Sequence, residues 1–211
     1  MCAHSISLVD SPKSLKSDEQ RKLRQNMLNE SHVKKLTEFV DLLRIQKGSG
    51  YLIPYFDPYD GGNQAEVLFL LEAAGPKAIT TGFISRSNPD ETAKNFYLLN
   101  QEAGVERALS IIWNIVPWYI GSGQKIRPAN KRDVLEGCQS LGALIQMLSN
   151  LKVIVLVGRK AQSARKFIEN LKPNIPIVDM PHTSPMFVNQ KPNNRSKILI
   201  ALKDVKLYLD N

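Results

Sequence analysis

The chain has 211 residues, 43% of them apolar, which is enough for one full hydrophobic core and falls in the single-domain range. It carries 28 Lys and Arg against 20 Asp and Glu, a formal charge of +8 that favours a polyanionic partner, either nucleic acid or an acidic membrane surface. No window approaches the ~18 unbroken apolar residues of a membrane span, and Met1–Asp10 has no long apolar core like that of a secretory signal. Two cysteines (Cys2, Cys138) and three histidines (His4, His32, His182) without ligand spacing exclude a disulfide framework and a four-cysteine zinc or iron–sulfur site. The expectation is a soluble, cytoplasmic protein that works without cofactor or metal.

In chain order, residues 1–16 are Ser-rich and aperiodic, and are expected to form a disordered lead to a single domain spanning 17–211. Ser17-Asp18-Glu19-Gln20 supplies a cap and acids at a helix start, and Leu36, Val40 and Leu43 continue a helical stripe towards Gln46, ended by Gly48-Ser49-Gly50. Tyr51–Gly62 is a structured loop with a turn at Asp60-Gly61-Gly62. Glu66–Leu71 is mostly an unbroken apolar run, the mark of a strand buried on both faces. A helix follows at Thr92–Ala103, a second buried strand at Leu109–Asn114, and a core helix at Lys131–Ser149. The last of these places Val134, Leu135, Cys138, Leu141, Leu144, Ile145 and Leu148 on one face. Lys152–Val157 is the third strand, Ala161–Leu171 a helix, Ile175–Asp179 the fourth strand and Ser196–Tyr208 the closing helix. Such alternation, joined by right-handed crossovers, predicts an α/β fold: a three-layer α/β/α sandwich with a central four-stranded parallel sheet.

Ligands of parallel sheets bind beyond the carboxyl ends of the strands, so the four segments leaving those ends carry the candidate site. They are Glu72-Ala73-Ala74-Gly75-Pro76, Asn114-Ile115-Val116-Pro117-Trp118-Tyr119, Gly158-Arg159-Lys160 and Met180-Pro181-His182-Thr183-Ser184-Pro185. His182, held between two prolines, either caps a turn or stabilises a developing anion. Glu72 is either a structural ion-pair partner or a base whose proton affinity burial would raise. Asn114 interrupts an apolar strand; it either braces a loop or reads the edge of a planar base, since its amide both donates and accepts. The chain has no G-x-x-x-x-G-K-[ST] loop and no G-x-S-x-G elbow.

A buried strand ending in Glu-Ala-Ala-Gly-Pro, a strand ending in Trp-Asn, and a late strand followed by His-Thr-Ser-Pro resemble, in order and spacing over roughly Ala65 to Val205, the uracil-DNA glycosylase superfamily. Val157-Gly158-Arg159 is similar as well. The sequence departs from the family pattern at Leu71, where Gly is usual, and at Ala74 and Thr183, where Pro is usual; two cysteines exclude the iron–sulfur branch. The resemblance implies a DNA glycosylase of base excision repair that flips a damaged base, uracil first, into a pocket. It assigns His182 to the departing base anion, Asn114 to the base edge and Phe83 to stacking on the base. Glu72 or the Ala73 backbone would position the water, Asn88 or Asp90 being the alternative, and Gly75 would shape the pocket. Ser184 would bind phosphate, and Met186 or Phe187 would wedge into the gap left by the flipped base. Lys125, Arg127, Lys131, Arg132, Arg159, Lys160, Lys191, Arg195 and Lys197 would follow the DNA backbone. The implied partner is DNA, with no membrane, and the protein would act as a monomer. The alternative is a catalytically silent nucleic-acid-binding protein on the same fold; a further rival acts on free nucleotides or nucleosides.

Overall fold

The computed structural model of the chain describes residues 7, 9–122 and 125–210. A 3-10 turn at Ser14–Lys16 leads into helices α1 (Asp18–Asn26) and α2 (Lys34–Lys47). The short strand β1 (Tyr55–Phe56) precedes β2 (Val67–Ala73), α3 (Pro76–Thr81), β3 (Phe83–Ile84) and α4 (Glu91–Glu102). Next come β4 (Ser110–Val116), the strand pair β5 (Gly121–Ser122) and β6 (Lys125–Ile126), and helices α5 (Lys131–Cys138) and α6 (Leu141–Met147). The remaining elements are β7 (Val153–Val157), α7 (Arg159–Gln162), α8 (Arg165–Leu171), β8 (Ile177–Met180), α9 (Pro185–Val188) and α10 (Asn194–Leu209).

The central sheet has the order β4–β2–β7–β8, every pair parallel, with helices on both faces. Its apolar runs behave as the sequence predicts. Val67–Leu70 and Val153–Val157 are fully buried, as strands covered on both sides must be. The pleat divides β4 into two faces. Trp113 points towards α2, stacked on Phe56 at 4.0 Å and 6.0 Å from Phe39. Ile112 and Asn114 take the other face, towards α4, where Phe69 meets Phe96 edge-on at 4.9 Å. Leu71 pairs with Asn114 in register, so the carboxyl ends of β2 and β4 stand level.

Several local expectations change. The lead expected to be disordered to residue 16 is ordered over 9–16: Leu15 is fully buried against Leu28 and Phe83, and its N–H donates to the Ser87 carbonyl at 3.1 Å. Residues 1–6 and 8 lie outside the described residues. The helical stretch from Ser17 to Gln46 is two helices, because Asn29, Ser31 and their neighbours take the turn geometry such side chains favour. Lys131–Ser149 likewise breaks at Gln139–Ser140, where the Ser140 hydroxyl donates to the Gly137 carbonyl at 2.9 Å. Gly137 allows α5 to close on β4; a Cβ there would lie 2.0 Å from the Ile115 carbonyl oxygen. Leu135 falls off the core face and is 67% exposed. The helix expected over Ala161–Leu171 is split by Ser163 and Ala164 into α7 and α8.

The N-terminal segment is fastened by buried charge. Arg24 of α1 meets Asp57 at 3.0 Å with both side chains fully buried. Arg107 reaches the same carboxylate at 2.6 Å, Asp60 at 2.8 Å and Asp10 at 2.7 Å. Although burial alone would raise the Asp57 pKa, the Arg107 and Arg24 guanidinium groups outweigh it and hold the carboxyl below its ordinary range. Asp60 goes the other way: burial prevails over Arg107 and Arg86 and pushes it up to about 6. The structured loop read from the sequence over Tyr51–Gly62 thus carries the hub of a buried ion cluster, Asp57 and Asp60.

Candidate active site

A cavity of about 620 Å³ opens at the carboxyl rim of the sheet, between β2, β4 and the first turns of α4. Its wall includes Glu72, Ala73 and Gly75 from the end of β2, Asn114 from β4, and His182 and Thr183 from the loop after β8. Asn88 and Asp90 contribute from the segment leading into α4. The candidates for the base and the water, Phe83 excepted, therefore converge on one concavity.

Asn114 is 3% exposed, and its side chain has no hydrogen-bond partner among the described residues. Because it lines the cavity, the amide is available to a group that enters there. His182 is oriented from behind: the Ser184 N–H donates to its Nδ1 at 3.1 Å. With Nδ1 accepting, the neutral ring carries its proton on Nε2, and that donor is unused among the described residues. Burial holds the imidazole pKa below its ordinary value, against the opposing pull of the Glu72 and Asp90 carboxylates. The ring also rests close to Gly158, whose φ is +83°; a Cβ there would come within 3.3 Å of the His182 Cβ. This is the contribution of the strand-end glycine, which supports the site from behind.

The loop carrying His182 is clasped to α4. The buried Thr183 hydroxyl donates to the Thr92 carbonyl at 3.2 Å, and the Asn95 amide donates to the Thr183 carbonyl at 3.0 Å. Asp90 caps α4 by accepting from the Ala93 N–H at 2.9 Å, so the clasp brings that carboxylate to the histidine's side of the cavity. Burial raises the Asp90 pKa in spite of the backbone N–H groups it accepts. Glu72 has one oxygen committed, accepting from the Ala129 N–H at 2.7 Å. Lys160 Nζ donates to the Ala129 carbonyl at 2.6 Å, so Glu72 and Lys160 together hold Ala129, next to the wall residues Ile126, Arg127 and Pro128.

Other candidates sit differently. Phe83 is not in the cavity wall. Its ring is fully buried on the opposite side with Leu15, Leu28 and Tyr55, because the ordered N-terminal segment claims it. The aromatic side chain that does line the cavity is Phe96. Asn88 lines the wall, but its amide is spent internally: it accepts from Thr81 Oγ1 at 2.7 Å and donates to the Phe83 carbonyl at 2.9 Å. Ser184 caps α9, accepting from the Phe187 N–H at 3.4 Å, and Met186 beside it is 83% exposed. Arg159 is exposed, whereas Arg195 is paired with Glu102 in the last turn of α4, the end away from Asp90. The Thr183 clasp, Phe96, the wall contributed by Ile126 and Pro128, and the buried Arg86 were missed by sequence reasoning. The two carboxylates Asp57 and Asp60, set close together in an aromatic- and Pro-rich loop, were the available sequence signal for the cluster.

No helix among the described residues is long and apolar enough to cross a membrane, and none of their His, Cys, Asp and Glu side chains form a metal-holding group of three. No curated protein matches the chain. Among solved structures, the chain is similar to the solution NMR structure of a provisionally named uracil DNA glycosylase from Methanosarcina acetivorans. That likeness has 17% identity and a TM-score of 0.49, covering 68% of this chain and 92% of that one. A model of the uracil DNA glycosylase superfamily matches residues 58–206, from the buried ion cluster to the closing helix, and the chain belongs to that superfamily.

Proposed function

We propose that the protein is a DNA glycosylase that hydrolyses the N-glycosidic bond of a flipped-out damaged base, uracil being the simplest substrate. The observation that carries this reading is the pairing of two unspent polar groups on one cavity: the Asn114 amide and the His182 Nε2–H. An amide that both donates and accepts suits the edge of a base. A neutral imidazole donor suits the oxygen on which negative charge builds as the base departs, and such preorganised donors are worth most where water is excluded.

The glycosidic bond is out of reach inside a duplex, so the nucleotide leaves the stack to enter the cavity. As the C1′–N1 bond of uracil breaks, its electron pair stays with the base, and His182 stabilises the anion as a hydrogen-bond donor. The sugar becomes cationic; water adds its oxygen to C1′ and its proton goes to the base or to solvent. Glu72 and Asp90 are the two carboxylates electrostatically coupled to His182, and either favours the cationic sugar. Asn88, with its amide already committed, serves as a wall residue. Met186, 83% exposed beside the His182 loop, is assigned here to the gap in the duplex, and Ser184 and Arg159, which follow strand ends at that rim, to phosphate.

The test is release of free uracil from an oligonucleotide with one uracil, read as strand cleavage after alkali. Asn114→Ala and His182→Ala should each lower the rate by about 10²–10³-fold, the cost of removing one preorganised donor. One observation favours the silent-binding alternative: a Glu72 oxygen already tied to Ala129. Salt-sensitive DNA binding without any abasic product would establish that alternative.

A further inference from the structure

The loop from Phe83 to Asp90 stands between the cavity and the N-terminal segment 9–16. Ser85, Asn88 and Asp90 line the cavity. Phe83 and Ser87 are absent from that wall and fully buried, and both meet the N-terminal segment. Phe83 packs on Leu15 and Leu28, and the Leu15 N–H donates to the Ser87 carbonyl at 3.1 Å. A single Arg107 nitrogen ties the segment to the same residue, donating to the Asp10 carboxylate at 2.7 Å and to the Ser87 hydroxyl at 2.9 Å. The segment also holds α4, the helix to which the His182 loop is clasped: the Tyr97 hydroxyl donates to the Asp10 carbonyl at 3.1 Å, and Lys13 pairs with Glu91 beside Asp90. At its other end it is fixed to α1, where Gln20 accepts from the Val9 N–H at 2.9 Å and donates to the Ser7 carbonyl at 2.9 Å. No residue of 9–16 lines the cavity.

We infer that segment 9–16 is a strap that positions the Phe83–Asp90 loop for base release, with Leu15 as its positioning residue. The inference rests on the glycosylase reading and adds a control on that same site from outside its wall. The route from strap to site is short. The Asn88 amide donates to the Phe83 carbonyl at 2.9 Å, and the Asp90 N–H donates to the Asn88 carbonyl at 2.8 Å. Phe83, seated against Leu15, therefore sets Asn88, and Asn88 sets the carboxylate that caps α4. Truncating Leu15 leaves a void that its neighbours fill only in part, and a Phe83 ring that moves into it takes its carbonyl, and so the Asn88 amide, along. A misplacement of about 1 Å at a reacting group costs about 10²-fold in rate. Because the strap touches neither the cavity nor the loop after β8, its loss falls on the bond-breaking step and not on capture of the DNA.

The experiment titrates the full chain, in excess, over an oligonucleotide with one uracil, at a temperature where every variant is folded. It reads the maximal single-turnover rate and the half-saturating protein concentration. Leu15→Ala should lower the maximal rate at least about tenfold, within the range expected of such a misplacement, and leave the half-saturating concentration within about twofold. Leu15→Met, which refills the volume, should recover the rate to within about threefold of wild type. Val205→Ala truncates a fully buried side chain in α10 that is absent from the cavity wall, and should leave the rate within about twofold. If Leu15→Ala does not fold, Leu15→Val takes its place, with a smaller loss of about threefold expected from its smaller void. An unchanged rate in the folded Leu15 variant overturns the inference and leaves the glycosylase reading intact. So does a loss confined to the half-saturating concentration, or a Val205→Ala variant that slows release as much as Leu15→Ala. Release of no base by the wild type overturns both.

Discussion

Arg24→Met tests whether the N-terminal segment is an integral part of the domain. Arg24 and Asp57 are 3.0 Å apart with no exposure of either side chain. Arg24 also donates to the Val9 carbonyl at 3.4 Å and lies 5.1 Å from the Tyr59 ring centre. Methionine retains most of the buried volume and removes the charge. Breaking a buried pair by deleting one partner costs about 3–5 kcal/mol, because the survivor is left uncompensated. Here Asp57 keeps Arg107 at 2.6 Å, the Tyr59 N–H at 2.9 Å and the Ser85 hydroxyl, so the low end applies, about 3 kcal/mol. At 2–4 °C per kcal/mol for a chain of this size, the melting temperature should fall by about 6–12 °C. The assay is thermal unfolding followed by calorimetry, with Asp57→Asn and the double variant completing a cycle. The double variant should cost less than the sum of the singles, since it removes both charges. A fall of under 2 °C for Arg24→Met, or strict additivity, would refute the account of this pair. Because Ser85 both lines the cavity and donates to Asp57, loss of base release at temperatures where the variant is still folded would extend the effect to the site.

Thr183→Val removes one neutral hydrogen bond at 3.2 Å and should cost about 1 kcal/mol of stability. It should reduce base release by more than that, towards 10²-fold, if the clasp sets the position of His182; equal rates in wild type and variant would count against the clasp. The His182 pKa is lowered by burial, so the acid limb of the rate–pH profile should lie below pH 6.5. The unfolded chain takes up that proton first, so stability should also decline as pH falls below 6.5 towards the folded pKa. An acid limb above 6.5 would contradict the buried, neutral ring. Met186→Ala, at an 83% exposed position, should leave the melting temperature within about ±0.5 kcal/mol equivalent, while weakening binding to a duplex containing a flipped base. Unchanged affinity by fluorescence anisotropy would remove Met186 from the interface.

The fold was legible because its strands are unbroken apolar runs, and only a sheet covered on both faces buries such runs. The rim was legible because strand-end loops converge by topology alone, which is why Glu72, Asn114 and His182 were found together. What could not be read was which way an individual ring or amide turns. Phe83 sits one residue from Ile84, and Ile84 does line the cavity. The choice between them depends on Leu15 and Leu28, residues about 68 and 55 positions away whose packing has no local signature. Asn88 illustrates the same limit: Thr81 and the Phe83 carbonyl satisfy its amide through a loop whose path sequence spacing does not specify. Helix breaks were lost for a milder reason. Ser140 and Ser163 are tolerated within helices, and only their hydrogen bonds to the carbonyls of Gly137 and Lys160 mark them as exits.

The departures from the superfamily pattern look different once the packing is known. A proline after the histidine restrains the backbone through its ring. Thr183 restrains the same position from outside, through its hydroxyl on Thr92 and its carbonyl under Asn95, and it is fully buried while doing so. The restraint has moved from a covalent ring to two hydrogen bonds anchored in the first turns of α4, and this ties the histidine to the helix that carries Asp90. Leu71, where glycine is usual, stands in register with Asn114 and contributes to the cavity wall. There an apolar side chain lowers the local polarity around the amide and makes its unmet hydrogen bonds more costly to leave unmade. Both departures therefore act on the surroundings of Asn114 and His182, one through the clasp to α4 and the other through the cavity wall, and leave the two groups themselves on the same cavity.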